Sequence, residues 1–311
     1  MPILPSDSVV VPPGGEARAV LSLVWAITWR ITVFFMLWGL LLAPAILPQA
    51  WLQDVGRRSP AWIRFYFDCT GLLASLGACA IMVRWVDRGL PLGFARTRAG
   101  TDCLSGLAGG AAWLGLSLGL IALLGGVEIA PRGHFTWSAL LLATVSGWLN
   151  AAVQEVVARS YIFQLVRQRC GPGWAVLVSS ACFVAMHAGA FQGVVLPVVN
   201  VFAASILFGL VLLRTGSLWA VIALHFAWNF LVGPVLGLAV SGHDLAAGWG
   251  MLRLHGADWL TGGTFGLEGS AVVTLVTIAA CLALRTRDGM VNSSPDSGFR
   301  PRDQKQATSA Q

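Results

Sequence analysis

Eight stretches of mainly apolar residues, each roughly 17–25 long and so able to cross a hydrocarbon core about 30 Å thick, dominate this chain. A backbone in lipid has no water to bond and must satisfy its own N–H and C=O groups, which leaves helices as the spanning structure for such segments. The stretches centre near Phe34, Ala74, Leu114, Val145, Cys182, Ile206, Ala227 and Thr274. Hydrophobic residues make up 56% of the chain and charged residues 11%, where a soluble domain carries about 25% charged residues. The expected fold is therefore all-α, a polytopic transmembrane helical bundle of about eight spans. It occupies residues 18–287, between polar segments at 1–17 and 288–311 that read as disordered cytoplasmic ends.

The net charge of +6 does not point to nucleic acid, because Arg and Lys are scattered at span ends and form no dense run. Their distribution is instead a topology signal. Basic residues gather in the second and fourth connections and the tail, which places both termini in the cytoplasm. Six cysteines show no CxxC spacing and fall mostly within spans, so they read as small packing residues. The longest stretch outside the spans, roughly 241–269, includes the glycine-rich run Leu260–Ser270 and reads as a turn into the last helix.

Ionisable side chains inside spans are costly and mark function. The fourth stretch carries Gln154, Glu155 and Arg159; the i, i+4 spacing puts Glu155 and Arg159 on one helix face, where they can pair, while Gln154 stands about 100° away. The fifth carries Phe183 one turn before His187, and the seventh carries His225 one turn before Asn229. Each pair alone fits a helix–helix hydrogen bond equally well. Together they hold the parts of a hydrolytic site: a carboxylate and an imidazole to activate water, and a second imidazole and an amide to donate to an oxyanion. His187, His225 and Glu155 also match a common zinc ligand set, so a divalent metal such as zinc is a candidate cofactor, although no HExxH helix accompanies them. Asp68, within the second span, supports a different reading, a polar path for transport.

In order, Gln154-Glu155-Val-Val-Ala-Arg159, Phe183-Val-Ala-Met-His187 and His225-Phe-Ala-Trp-Asn229 resemble the EExxxR, FxxxH and HxxxN motifs of the CPBP family of intramembrane proteases. That family, also called Abi or CAAX-protease, includes the type II prenyl-protein endopeptidases. The resemblance runs over about residues 148–270. It implies an integral protein of a bacterial plasma membrane whose partners are membrane lipid and a membrane-associated peptide or protein, prenylated or leader-type. It also implies that the first motif glutamate and His187 activate water while His225 and Asn229 stabilise the oxyanion. Gln154 stands where the family has that first glutamate, and an amide cannot take up a proton at working pH. Two expectations follow. Either a bulge or one-residue helix shift turns Glu155 towards His187 as the base, with Arg159 and Gln154 supporting it, or the site is inactive and the chain is a membrane scaffold.

Overall fold

The computed structural model describes residues 15–94, 97–130, 136–191, 193–243 and 250–286. The terminal segments expected to be disordered lie almost wholly outside these residues. The helices are α1 (Gly15–Ile46), α2 (Gln49–Arg58), α3 (Pro60–Ile81), α4 (Ala99–Leu123), α5 (Trp137–Glu155), α6 (Ile162–Cys170), α7 (Pro172–Met186), α8 (Val195–Thr215), α9 (Leu218–Phe230), the single turn α10 (Asp258–Thr261) and α11 (Ala271–Thr286). A π-helical segment, Val156–Tyr161, joins α5 to α6 into one 34-residue element.

Among the described residues six helical elements are long and apolar enough to cross a membrane. The fifth and eighth expected spans coincide with the shorter apolar helices 172–186 and 271–285. The fifth is cut short by its own ends: Gly171 at φ +89° followed by Pro172 starts α7, and the helix stops at His187. The all-helical expectation holds apart from one short ribbon, β1 (Val127–Ile129) antiparallel to β2 (Leu252–Leu254), which sets Glu128 opposite Arg253.

At the centre lies α9, in which every residue from Leu218 to Trp228 except Trp219 is buried. Lipid tails are as apolar as leucine, so helices in a bilayer associate through close packing and hydrogen bonds rather than through burial from water. Gly106 and Gly110 supply that closeness on α4. A Cβ on Gly106 would lie 2.2 Å from the Ala220 carbonyl oxygen, and one on Gly110 would lie 2.6 Å from that of Leu224. The two backbones therefore touch at the turn that carries His225. Polar bonds tie the remaining helices: Trp113 Nε1 donates to Thr277 Oγ1 at 3.0 Å, joining α4 to α11. Asp87, just beyond α3, accepts from Arg30 of α1, Tyr161 and Arg169.

Between α3 and α5 runs a second polar line. Ser146 and Asn150 donate to the two carboxylate oxygens of Asp68, Asn150 at 2.9 Å. Gln154 Nε2 donates to Asn150 Oδ1 at 2.8 Å. Residues 146, 150 and 154 share one face of α5 by their four-residue spacing, and that face is turned to α3. Asp68 thus serves as helix–helix glue, with a donor from α5 on each of its oxygens.

Candidate active site

The rotation between Gln154 and Glu155 separates their fates. Gln154 looks to Asn150, and its Oε1 is buried without a hydrogen-bond partner among the described residues. Glu155 looks the other way and is fully buried, with Oε2 2.8 Å from Arg159 Nη1 and Oε1 2.8 Å from His225 Nδ1. The bulge considered from the sequence is present, since the π-helical turn starts at the next residue. It does not turn Glu155 to His187. The carboxylate is joined instead to the third-motif histidine.

Arg159 is fully buried as well and needs several partners. Its Nη2 donates to the carbonyl oxygen of Ser205 at 3.1 Å and to the Ser205 hydroxyl. The guanidinium lies 4.5 Å from the ring centre of Phe183 and 5.3 Å from that of Phe208. This accounts for the first residue of the FxxxH motif: Phe183 presents a π face to the buried cation and also stands 4.6 Å from the His187 ring.

His187 is the residue at which α7 ends, with φ −99° and ψ 2°, in the sparsely populated bridge region where many active-site residues sit. Its Nδ1 lies 2.8 Å from the carbonyl oxygen of Phe183. A carbonyl only accepts, so Nδ1 carries the proton, and in the neutral ring Nε2 presents a lone pair. His225, 5% exposed, is oriented by the same logic, with Nδ1–H donating to the Glu155 carboxylate and Nε2 left over.

His187, His225 and Asn229 line one cavity, walled by Trp113, Phe183, Phe208 and Trp228. The side chain of Asn229 makes no protein hydrogen bond among the described residues, so its amide is available to a ligand. The cavity has about 30 Å³ of room for water centres, enough for roughly two waters. Glu155 and Gln154 are not among its lining residues.

A carboxylate the sequence reading passed over does line it. Glu268 belongs to the glycine-rich run read as a plain turn, which instead folds as α10 and two single 3₁₀ turns, Gly263–Phe265 and Leu267–Gly269, and returns to the cavity. One signal was present in the sequence: Glu268 is the single acidic residue between Asp258 and Asp288.

The zinc set considered from the sequence does not fit. His187 and His225 line the cavity, whereas Glu155 is fully buried against Arg159 and His225 Nδ1 and does not reach it. Among the described residues no group of three or more His, Cys, Asp or Glu is arranged to hold a metal ion.

Residues 135–231 match the family model described as Rce1-like, type II CAAX prenyl endopeptidase. No curated protein and no solved structure matches the chain. The matched segment contains all three motifs, agrees with the resemblance read from them, and ends well before Glu268. Over residues 135–231, about a third of its length, this chain is similar to the Rce1-like type II CAAX prenyl endopeptidases.

Proposed function

We propose that this protein is an intramembrane endopeptidase that hydrolyses a peptide bond of a membrane-associated substrate at the cavity between α7, α8 and α9. The observation that carries the proposal is the arrangement of three uncommitted polar groups round one small wet space. His187 Nε2, His225 Nε2 and the Asn229 amide are all free of protein partners there, and both imidazoles are fixed at Nδ1. Two half-buried groups and one buried imidazole that converge on one cavity without protein partners among the described residues fit a site kept for water and a substrate carbonyl.

In this reading His187 Nε2 accepts a hydrogen bond from the attacking water and helps to activate it. His225, when protonated at Nε2, and the Asn229 amide donate to the carbonyl oxygen as it becomes an oxyanion. Glu155 acts as a positioning residue through His225 and not on water directly, because it is fully buried and does not line the cavity. Arg159 pairs with Glu155 and holds it in place. A transport reading has less support: Asp68, its best residue, is occupied between α3 and α5. No step here runs through a metal.

The test is purified protein in proteoliposomes, assayed with an internally quenched farnesylated CAAX-type peptide and its unprenylated counterpart. Wild type is expected to cleave at least one, and His187→Ala and His225→Ala to lower kcat/KM by 100-fold or more. Cleavage of neither peptide by folded wild type, or full activity in His225→Ala, would overturn the proposal.

A further inference from the structure

Among the described residues one carboxylate lines the cavity, and it belongs to none of the three motifs. Glu268 is held there from several sides. Its Oε1 accepts from Trp228 Nε1 at 3.1 Å, and its Oε2 accepts from the Ser241 backbone N–H at 2.6 Å and from the Ser241 hydroxyl at 2.7 Å. Asn200 of α8 fixes the backbone of the same turn by donating to the carbonyl oxygens of Glu268 and Ser270, at 2.8 and 2.9 Å. Thr274 in turn holds the Asn200 carbonyl at 2.5 Å.

Ser241 makes its contribution under strain. Its φ of +48° is the single positive value at a non-glycine residue among those described. Together with Gly242 at +75° it forms a tight reversal between Val240 and His243, a place that favours Asn, Asp or Gly. Backbone strain of this kind costs on the order of 1–3 kcal/mol and persists where surrounding contacts impose it. Here the strained N–H and its own hydroxyl converge on one carboxylate oxygen.

Each carboxylate oxygen has two acceptor positions. Oε2 fills both with Ser241, whereas Oε1 uses one on Trp228 and keeps one. The remaining acceptor belongs to a side chain that shares its small cavity with His187. Meanwhile Gln154 faces Asn150, and Glu155 is sealed behind His225.

From these contacts we infer that Glu268 is the catalytic carboxylate on the attacking water, supplying from the far end of the chain the acid that the first motif lacks. The inference rests on the proposal that the cavity hydrolyses a peptide bond. Glu268 Oε1 accepts one water proton while the water oxygen forms its bond to the substrate carbonyl carbon, and the carbonyl π electrons move onto the oxygen facing His225 and Asn229. The tetrahedral species then collapses: the C–N bond breaks, its electron pair goes to nitrogen, and the proton held on Glu268 passes to that nitrogen. An acid and an amine leave, and Glu268 is again a carboxylate. His187 orients the water through Nε2 and shares the transfer.

The competing role is a staple, in which Glu268 merely pins the 241 reversal to Trp228. The experiment uses full-length protein in proteoliposomes with the two quenched peptides above. Glu268→Gln is expected to lower kcat about 10²–10⁴-fold, the range for a lost general base, with KM within threefold and Glu128→Gln on the exposed ribbon as the unaffected control. Formate is expected to restore Glu268→Ala at least tenfold and to leave Glu155→Ala unrescued. Active wild type with Glu268→Gln within threefold overturns this inference and leaves peptide hydrolysis standing. So does a Glu268→Ala protein that melts lower, loses activity and gains nothing from formate. Wild type that cleaves neither peptide removes the underlying proposal as well.

Discussion

Replacing Glu155 by Gln is the change whose two consequences can be separated. Arg159, fully buried, would keep its charge and lose its carboxylate partner at 2.8 Å. Removing one member of a buried ion pair costs about 3–5 kcal/mol. The Ser205 carbonyl at 3.1 Å and the π faces of Phe183 and Phe208 at 4.5 and 5.3 Å remain as compensation, which puts the expected loss near the lower end, about 3 kcal/mol. The second consequence falls on His225. A glutamine that turns its oxygen to Arg159 presents its NH₂ to His225 Nδ1, so Nδ1 must accept and the ring proton moves to Nε2. The ring then donates from Nε2 only as a neutral group and can no longer become the imidazolium that the Glu155 carboxylate supports; outright loss of an oxyanion donor costs about 10²–10³-fold, and this weakening is expected to cost roughly tenfold. The assay pairs thermal unfolding in detergent with peptide cleavage, on Glu155→Gln and on Glu155→Gln/Arg159→Leu. In the double variant no charge is left alone, so most of the thermal loss should return while activity does not. A single variant with unchanged melting and less than a threefold drop in activity would refute the reasoning.

Further outcomes follow from the packing and from the donor set. Gly110→Val is expected to cost about 2–3 kcal/mol, as overpacking does, because its Cβ would stand 2.6 Å from the Leu224 carbonyl oxygen; thermal unfolding of purified protein checks this. Gln154→Glu should give no gain in kcat beyond twofold, since position 154 points to Asn150 and, through it, to Asp68. A large gain would mean that this side chain swings to the cavity. Incubation with 1,10-phenanthroline followed by desalting should leave activity within twofold, because Glu155, considered for zinc with His187 and His225, is paired with Arg159 and His225 Nδ1 and does not line the cavity; loss restored by added zinc would contradict this.

Much of the site could be read from spacing because a helix turns four residues into one face. The i, i+4 steps put Glu155 with Arg159 and His225 with Asn229, and the angle between neighbours predicted that Gln154 and Glu155 would face different partners, as their contacts with Asn150 and His225 show. Spacing along one helix says nothing about which helix lies across from it. That Glu155 meets His225 and not His187 depends on how α5 packs beside α9, which is governed by side-chain shape and by glycines such as Gly106 and Gly110 on a third helix. The fifth stretch falls short of a full-length span for a local reason. Apolar composition carries through Gly171-Pro172 and His187, but the backbone does not continue as helix there. Glu268 was illegible for the opposite reason: its run of glycines has no period, and its place in the cavity comes from Asn200, Trp228 and Ser241, residues 27 to 68 positions away.

The central claim is that water held among His187, His225, Asn229 and Glu268 is delivered to a peptide carbonyl. Mass spectrometry of the products formed in H₂¹⁸O by purified protein in proteoliposomes tests it most directly. Wild type should release an amino-terminal fragment whose new carboxylate carries one ¹⁸O, and the His225→Ala protein, folded by its thermal transition, should release none in the same time. Equal labelled product from the two proteins, or none from the wild type, would contradict the account.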